Sequence, residues 1–231
     1  MKILLIAGHG EGDPGAIGNG FKEADLTREV VAKLYDKLKD IFDVTVYDTN
    51  KNLYKQRGNG LNFKFSNYDL CLEVHFNAGG GKGAEVLIHN SSKQKQVDIN
   101  MLTNLLDTGL GSRGIKKRTD LSNMNCAYKQ GAAYSLLEVC FIDSPNDMNI
   151  YKLNKSAICS AIANGIVSAY KDKAKTINNV TELFNVNDIV WELEHRGIIT
   201  EKKKWLDKLQ NDMDSYWLAR KALQFIRSKN L

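Results

Sequence analysis

Over its first 170 residues the chain alternates short apolar runs with amphipathic stretches. This pattern constrains the fold more than any other feature. Runs of that kind bury both faces of a strand, which requires helices packed on a largely parallel sheet. Strands are expected at Lys2 to Gly8, Val44 to Tyr47, Leu70 to Phe76, Ala84 to His89 and Ser135 to Phe141. Helices are expected at Glu23 to Lys39, Lys93 to Leu110 and Lys155 to Tyr170, with a shorter one near Asn52 to Phe65. In the first helix Leu26, Val30, Leu34 and Leu38 recur at i, i+4 spacing and make one buried stripe. The expected class is α/β, a mostly parallel twisted sheet flanked by helices and followed by a small all-helical C-terminal domain.

The pattern changes after Tyr170. The segment Lys-Asp-Lys-Ala-Lys-Thr-Ile-Asn-Asn is polar apart from Ile177 and reads as a linker. The expected division is an α/β domain over 1–171, a linker over 172–180 and a helical domain over 181–231. Beyond Asn185 the spacing of Ile189 and Leu193, of Trp205, Leu206 and Leu209, and of Trp217, Ala222, Leu223 and Ile226 fits two or three short helices. All three tryptophans, Trp191, Trp205 and Trp217, fall in this part.

A chain of 231 residues with 43% hydrophobic content is long enough to bury a full core, which excludes a disulfide-stapled miniprotein and a disordered tail. The apolar run Ile3 to Ala7 is far short of the roughly 20 residues of a membrane span and of a signal-peptide core. A soluble protein made in the cytoplasm without a secretion signal is therefore expected. The four cysteines form no C-x-x-C pair, and Cys71 and Cys140 lie inside apolar runs, as reduced core residues do. Net charge is +5, but 32 basic residues are interleaved with 27 acidic ones, so neither a nucleic-acid nor a membrane partner is expected. The runs Lys116-Lys117-Arg118 and Lys202-Lys203-Lys204 read as solvated surface.

Two of the four histidines occupy informative places. His9 directly follows the first expected strand and His75 lies near the end of a central one, and the carboxyl ends of parallel strands line the site crevice. Along Leu70 to Asn77, alternation puts Cys71, Glu73, His75 and Asn77 on one face. Glu138 interrupts the apolar Leu136 to Phe141, where an unpaired carboxylate would be costly. Glu23 opens the first helix after the glycine-rich stretch Gly8 to Gly20, where chain reversal can return it towards His9. Two imidazoles and a carboxylate make a common catalytic zinc set, and a further carboxylate can act as general base. His89 and His195 lack this context and read as structural or exposed.

Gly10-Glu11-Gly12-Asp13-Pro14-Gly15 spells G-x-G-x-x-G after a strand. Glu11 and Asp13 put negative charge where phosphates would sit, and the continuation to Gly20 delays the receiving helix, so nucleotide binding is disfavoured. A cysteine nucleophile is equally unsupported, because no activating base flanks Cys71 or Cys140.

These segments resemble the zinc-dependent N-acetylmuramoyl-L-alanine amidases of bacterial autolysins and phage endolysins, over roughly residues 2 to 171. Ile-Ala-Gly-His9-Gly-Glu-Gly-Asp-Pro-Gly-Ala resembles the family's first metal-ligand loop, and Glu23-Ala-Asp-Leu the segment with its ligand glutamate. Val74-His75-Phe76-Asn77-Ala78 resembles the second histidine segment, Ser112-Arg113-Gly114-Ile115-Lys116 a later signature, and Leu137-Glu138-Val139-Cys140-Phe141-Ile142 the catalytic-glutamate segment. There are two departures. The family usually has a small residue such as serine at Glu73 and glycine at Cys140.

The resemblance implies one Zn2+ per chain on His9, Glu23 and His75, with Glu138 as the catalytic base. It leaves Glu73 and Asn77 either to orient a ligand imidazole from behind or to contact substrate. The implied reaction is cleavage of the amide between N-acetylmuramic acid and L-alanine in bacterial peptidoglycan, by an endolysin that reaches the wall after membrane permeabilisation. The alternatives are a zinc peptidase or other amidohydrolase, or a non-catalytic wall-binding protein. For the helical part, Trp191, Trp205 and Trp217 either offer stacking surfaces to a wall polymer or form the core of a small bundle, one that could pair into a homodimer.

Overall fold

The computed structural model describes residues 1–174, 193–194, 198–201 and 203–205. In chain order the strands are β1 (Lys2–Ala7), β2 (Ile17–Gly18), β3 (Phe21–Lys22), β4 (Asp43–Val46), β5 (Leu70–Asn77), β6 (Ala84–His89), β7 (Ser112–Arg118) and β8 (Tyr134–Phe141). The helices are α1 (Glu23–Leu38), α2 (Leu53–Gly58), α3 (Gln96–Leu106), α4 (Ser122–Lys129) and α5 (Pro145–Ala169). Six strands form the main sheet in the order β4-β1-β5-β8-β6-β7, parallel except where β6 meets β8. This is the mostly parallel, helix-flanked sheet expected from the apolar runs.

Alternation along the strands divides the residues between two faces. Ile3, Leu5, Leu72, Val74, Phe76, Val86, Ile88, Leu137 and Val139 are all buried on one face, against which α1, α3 and α5 pack. The Phe76 ring meets Tyr151 of α5 edge-on, with centroids 5.1 Å apart. The opposite face is split along its length. Leu4, Ile6, Cys71, Leu87, Tyr134 and Leu136 form an apolar half covered by Phe65 and by Met124 and Ala127 of α4. Further along the same rows stand Glu73, His75, Glu138 and Glu85, where the helical cover ends. The polar half is thus confined to the carboxyl ends of β1, β5 and β8, the edge where a parallel sheet places its site.

Several elements differ from the sequence reading. The third expected helix begins earlier, at Pro145: Ser144 caps it by accepting from the Asp147 amide, and Asn154 breaks the helical geometry between its two parts. β7, α4 and the β2–β3 hairpin carry no long apolar run and escaped notice. The hairpin turns at Asn19-Gly20, both with positive φ (49° and 81°), the backbone that an Asn-Gly turn favours. β7 is an edge strand whose exposed Lys116, Lys117 and Arg118 discourage further strand pairing, in keeping with their reading as solvated surface.

The chain divides into two compact units, Met1–Thr176 and Ile177–Leu231. In the second, Trp205 is partly buried and its amide donates to the Glu201 carbonyl at 3.1 Å. Trp191, Trp217 and His195 lie outside the described residues. Among the described residues no helix is long and apolar enough to cross a membrane. All four cysteines are free thiols, with Cys71, Cys140 and Cys159 buried.

Candidate metal centre and catalytic carboxylate

The loop after β1 is built to present His9. Its backbone takes φ 61°, a left-handed conformation that strains a non-glycine residue and is held only by surrounding contacts. Arg28 of α1 supplies them, donating to the carbonyls of Gly8 and His9 at 3.0 Å each. Gly8 itself has no room for a side chain, since a Cβ there would lie 2.3 Å from the His75 ring. The imidazoles of His9 and His75 are therefore brought edge to face, with centroids 4.9 Å apart.

Between them the first residue of α1 inserts its carboxylate. Glu23 Oε2 lies 3.1 Å from His9 Nε2 and Oε1 lies 3.0 Å from His75 Nδ1. The same oxygens accept from the amides of Ala16 and Phe76, both at 2.9 Å, which fixes the carboxylate in place. Ligand atoms of His9, Glu23 and His75 all lie within 4.8 Å of one another. Burial alone would push the Glu23 carboxyl up, but the imidazoles and amide donors outweigh it and hold it far below the usual carboxylate range. Burial likewise opposes the charged form of both imidazoles, yet Glu23 with Glu73 raises His75 well above its ordinary value and Glu23 raises His9.

Each imidazole also has a second carboxylate at its far nitrogen. His9 Nδ1 lies 3.1 Å from Asp13 Oδ2, and His75 Nε2 lies 3.2 Å from Glu73 Oε1. Asp13 accepts from the Gly15 amide and from Asn52 Nδ2. Glu73 is clamped by Asn123 Nδ2, whose own Oδ1 accepts from Arg57. With a metal bound, these outer acceptors would keep the ring protons on His9 Nδ1 and His75 Nε2. The opposite nitrogens, which face the Glu23 carboxylate, would then give up their protons and serve with it as a donor set suited to zinc.

Glu138 stands beside this cluster without joining it. It is in register with His75 on one side and with Glu85 on the other. Its Oε2 is buried and has no hydrogen-bond partner among the described residues. Burial pushes its carboxyl up to about 7, and Glu23 and Glu85 add to the rise against the opposing pull of His75 and His9. Asn77 turns away from the cluster: its Nδ2 donates to Glu85 at 2.8 Å and its Oδ1 accepts from the Ala78 amide.

Sequence reasoning thus brought together His9, Glu23, His75, Glu138 and Glu73, and missed Asp13, Asn123 and Glu85. Asp13 was legible in principle, since an aspartate in a tight turn four residues past a loop histidine can fold back onto it. His89 belongs elsewhere, stacked on the Tyr128 ring at 3.8 Å.

The family described as N-acetylmuramoyl-L-alanine amidase matches residues 3–169. The chain belongs to this amidase family. Among curated relatives, the Staphylococcus aureus protein named Probable autolysin PH is 32% identical over 185 residues, covering 71% of this chain and 38% of that protein. The sporulation-specific N-acetylmuramoyl-L-alanine amidase of Bacillus subtilis is 28% identical, over 71% of this chain and 65% of its own length. The endolysin of Bacillus phage SPP1 is also 28% identical, over 71% of this chain and 62% of its own. The chain thus spans less than two thirds of each of these relatives. The N-acetylmuramoyl-L-alanine amidase from Clostridium difficile 630 shares the fold at a TM-score of 0.62 and 20% identity, over 74% of this chain and 96% of that one. Every residue of the cluster described above falls inside the matched segment.

Proposed function

We propose that this chain is a zinc-dependent peptidoglycan hydrolase that cleaves the amide between the lactyl group of N-acetylmuramic acid and L-alanine of the stem peptide. The observation that carries the reading is the convergence of His9, Glu23 and His75 within 4.8 Å, beside a separate carboxylate, that of Glu138, whose buried Oε2 has no hydrogen-bond partner among the described residues. His9 Nε2, the Glu23 carboxylate and His75 Nδ1 would hold the ion. Zinc supplies Lewis acidity towards the amide carbonyl and the attacking water.

The chain's own groups do the rest. Glu138 takes a proton from the attacking water as the C–O bond forms. It delivers that proton to the amide nitrogen as the C–N bond breaks, so the alanine amine leaves neutral and the carboxylate is ready to turn over again. Asp13 and Glu73 hold the far nitrogens of the two imidazoles, so that neither ring turns during the reaction. Glu73→Ala should therefore weaken zinc binding about 10–100-fold, read by competition with a chromophoric chelator. Unchanged affinity would reduce Glu73 to packing.

Digestion of purified peptidoglycan tests the reaction itself. Newly exposed amino groups on L-alanine support the amidase, ends within the peptide would make it a peptidase, and no new ends would leave a binder. The phage endolysin relative favours an enzyme released to the wall from inside the cell.

The unit Ile177–Leu231 is proposed to bind the wall polymer and to self-associate, through Trp191, Trp205 and Trp217. Truncation after Thr176 should leave a zinc-loaded enzyme active on soluble muropeptides, because every proposed ligand and the base precede the cut. Lysis of intact walls should fall, and any dimer seen by light scattering should be lost. A metal-free or insoluble fragment would contradict the division, and undiminished lysis by a dimeric fragment would contradict both roles.

A further inference from the structure

We propose that Arg113, at the start of β7, is a clamp for a carboxylate of the stem peptide beside the scissile amide. This rests on the amidase reading above and adds a specificity element to it.

On the polar half of the sheet, His75, Glu138 and Glu85 stand in one row across β5, β8 and β6. Glu85 is buried, and both of its oxygens are occupied. Oε1 accepts from Asn77 Nδ2 and Oε2 accepts from Arg113 Nε, each at 2.8 Å. Both Glu85 oxygens are thus engaged by neighbouring donors, and the carboxylate serves as a bracket for the arginine.

The guanidinium also lies 5.0 Å from the centroid of the buried Phe141 ring. That ring is packed against Gly81, where a Cβ would come within 2.3 Å of it. The arginine is thereby held at one edge by Glu85 and near one face by Phe141. Its two terminal nitrogens have no hydrogen-bond partner among the described residues, and its side chain is 42% exposed. A guanidinium has five N–H donors, of which Nε uses one, so the fork that matches a carboxylate bidentately is left facing outwards.

Position decides what the fork would meet. β7 is two strands from β8 in the sheet, about 10 Å at the usual strand spacing, and the arginine side chain reaches back towards Glu138 as far as Glu85. An extended peptide advances about 3.3–3.6 Å per residue. A stem peptide that runs from Glu138 across the strands towards β7 would bring its second residue within reach of Arg113. In muropeptides that residue is a glutamate carrying a carboxylate or its carboxamide. Arg113 would bind the former by a charge-assisted pair and would offer a carboxamide only donors against donors on one side.

The test uses the full-length zinc enzyme and three substrates: N-acetylmuramoyl-L-alanyl-D-glutamate, its α-monoamide and its γ-monoamide. The wild type should prefer the diacid over one of the monoamides by about 10–100-fold in kcat/KM, the scale of a charge-assisted hydrogen-bonded pair. The difference should lie mainly in KM, because the carboxylate is remote from the bond that breaks. The monoamide that is penalised identifies which carboxylate is read.

In Arg113→Gln that ratio should collapse to about one. In Arg113→Lys, which keeps a cation beside Glu85 but lacks the fork, it should fall to a few-fold. A wild type that treats all three substrates alike overturns the clamp, as does a ratio unchanged in Arg113→Lys or preserved in an Arg113→Gln that slows all three equally. Zinc content and Tm of both variants report whether the Glu85 bracket survives, and if Arg113→Gln fails to fold the Arg113→Lys ratio decides. A wild type that cleaves none of the three but releases peptide ends from whole wall would instead sink the amidase reading, and the clamp with it.

Discussion

Glu138→Gln should lower turnover at least about a hundredfold while leaving zinc bound, the scale expected when a general acid–base group is removed without disturbing its surroundings. The substitution is isosteric, and Glu138 Oε2 has no hydrogen-bond partner among the described residues, so no described contact is broken. The pH profile supplies a second signature. A general base must be ionised, and burial raises this carboxyl to about 7 from its ordinary 4.5. Bound zinc adds positive charge nearby and favours the ionised form, so the acid limb of kcat/KM should lie between those two values, with activity rising as pH increases through it. The residual activity of the variant should lack that limb.

Stability should shift in the opposite sense. A carboxyl with a raised native pKa binds its proton more tightly when folded, so its contribution is full below pH 4.5 and is lost as pH rises towards 7. Metal-free Glu138→Gln should accordingly melt higher than metal-free wild type above pH 7. Normal turnover in the variant would move the proton transfer to another carboxylate, with Glu73, 3.2 Å from His75 and outside the proposed ligand set, the first candidate.

His75→Ala should abolish both zinc retention and lysis. The imidazole contacts Glu23 at one nitrogen and Glu73 at the other, so its removal deletes a ligand and frees two buried carboxylates at once. The loss of affinity should exceed the about 10–100-fold expected of an outer partner such as Glu73. Proton linkage separates a lost ligand from a misfolded chain. In the metal-free wild type the raised imidazoles stabilise the fold fully below their ordinary 6.5, and this is lost as pH rises through their higher native values. The depressed Glu23 carboxyl contributes above 4.5, and its contribution is lost as pH falls towards its native value. Metal-free wild type should therefore be most stable between these limits, and His75→Ala should flatten the dependence. Zinc must displace the imidazole protons, so wild-type affinity should rise with pH. Full metal occupancy in the variant would contradict the ligand assignment.

The sequence made the central strands and first helix readable because their burial is two-sided or periodic. Ile3 to Ala7 and Leu70 to Phe76 have no solvated face to blur the signal, and Leu26, Val30, Leu34 and Leu38 mark one stripe. Polar residues in such strands stood out for the same reason, which is how His75, Glu73 and Glu138 were found. β7 was missed because an edge strand with exposed Arg113, Lys116 and Lys117 has no apolar alternation to read. The partners of the site were harder still. Asp13 reaches His9 through a turn, Asn123 reaches Glu73 from α4 and Glu85 meets Glu138 across an antiparallel register, and none of these pairings has a fixed spacing in sequence. Glu23 was the exception, because a glycine-rich loop ending at a helix start implies the reversal that carries it back to His9.

The central claim is that His9, Glu23 and His75 hold one zinc while Glu138 remains outside the ligand set. Anomalous diffraction at the zinc edge from crystals of the zinc-loaded protein tests it most directly. The account predicts a single strong peak at about 2.0–2.2 Å from His9 Nε2, a Glu23 oxygen and His75 Nδ1, with Glu138 too far to coordinate. A peak ligated by Glu138 or Glu73 in place of Glu23, or no peak among these residues, would contradict it.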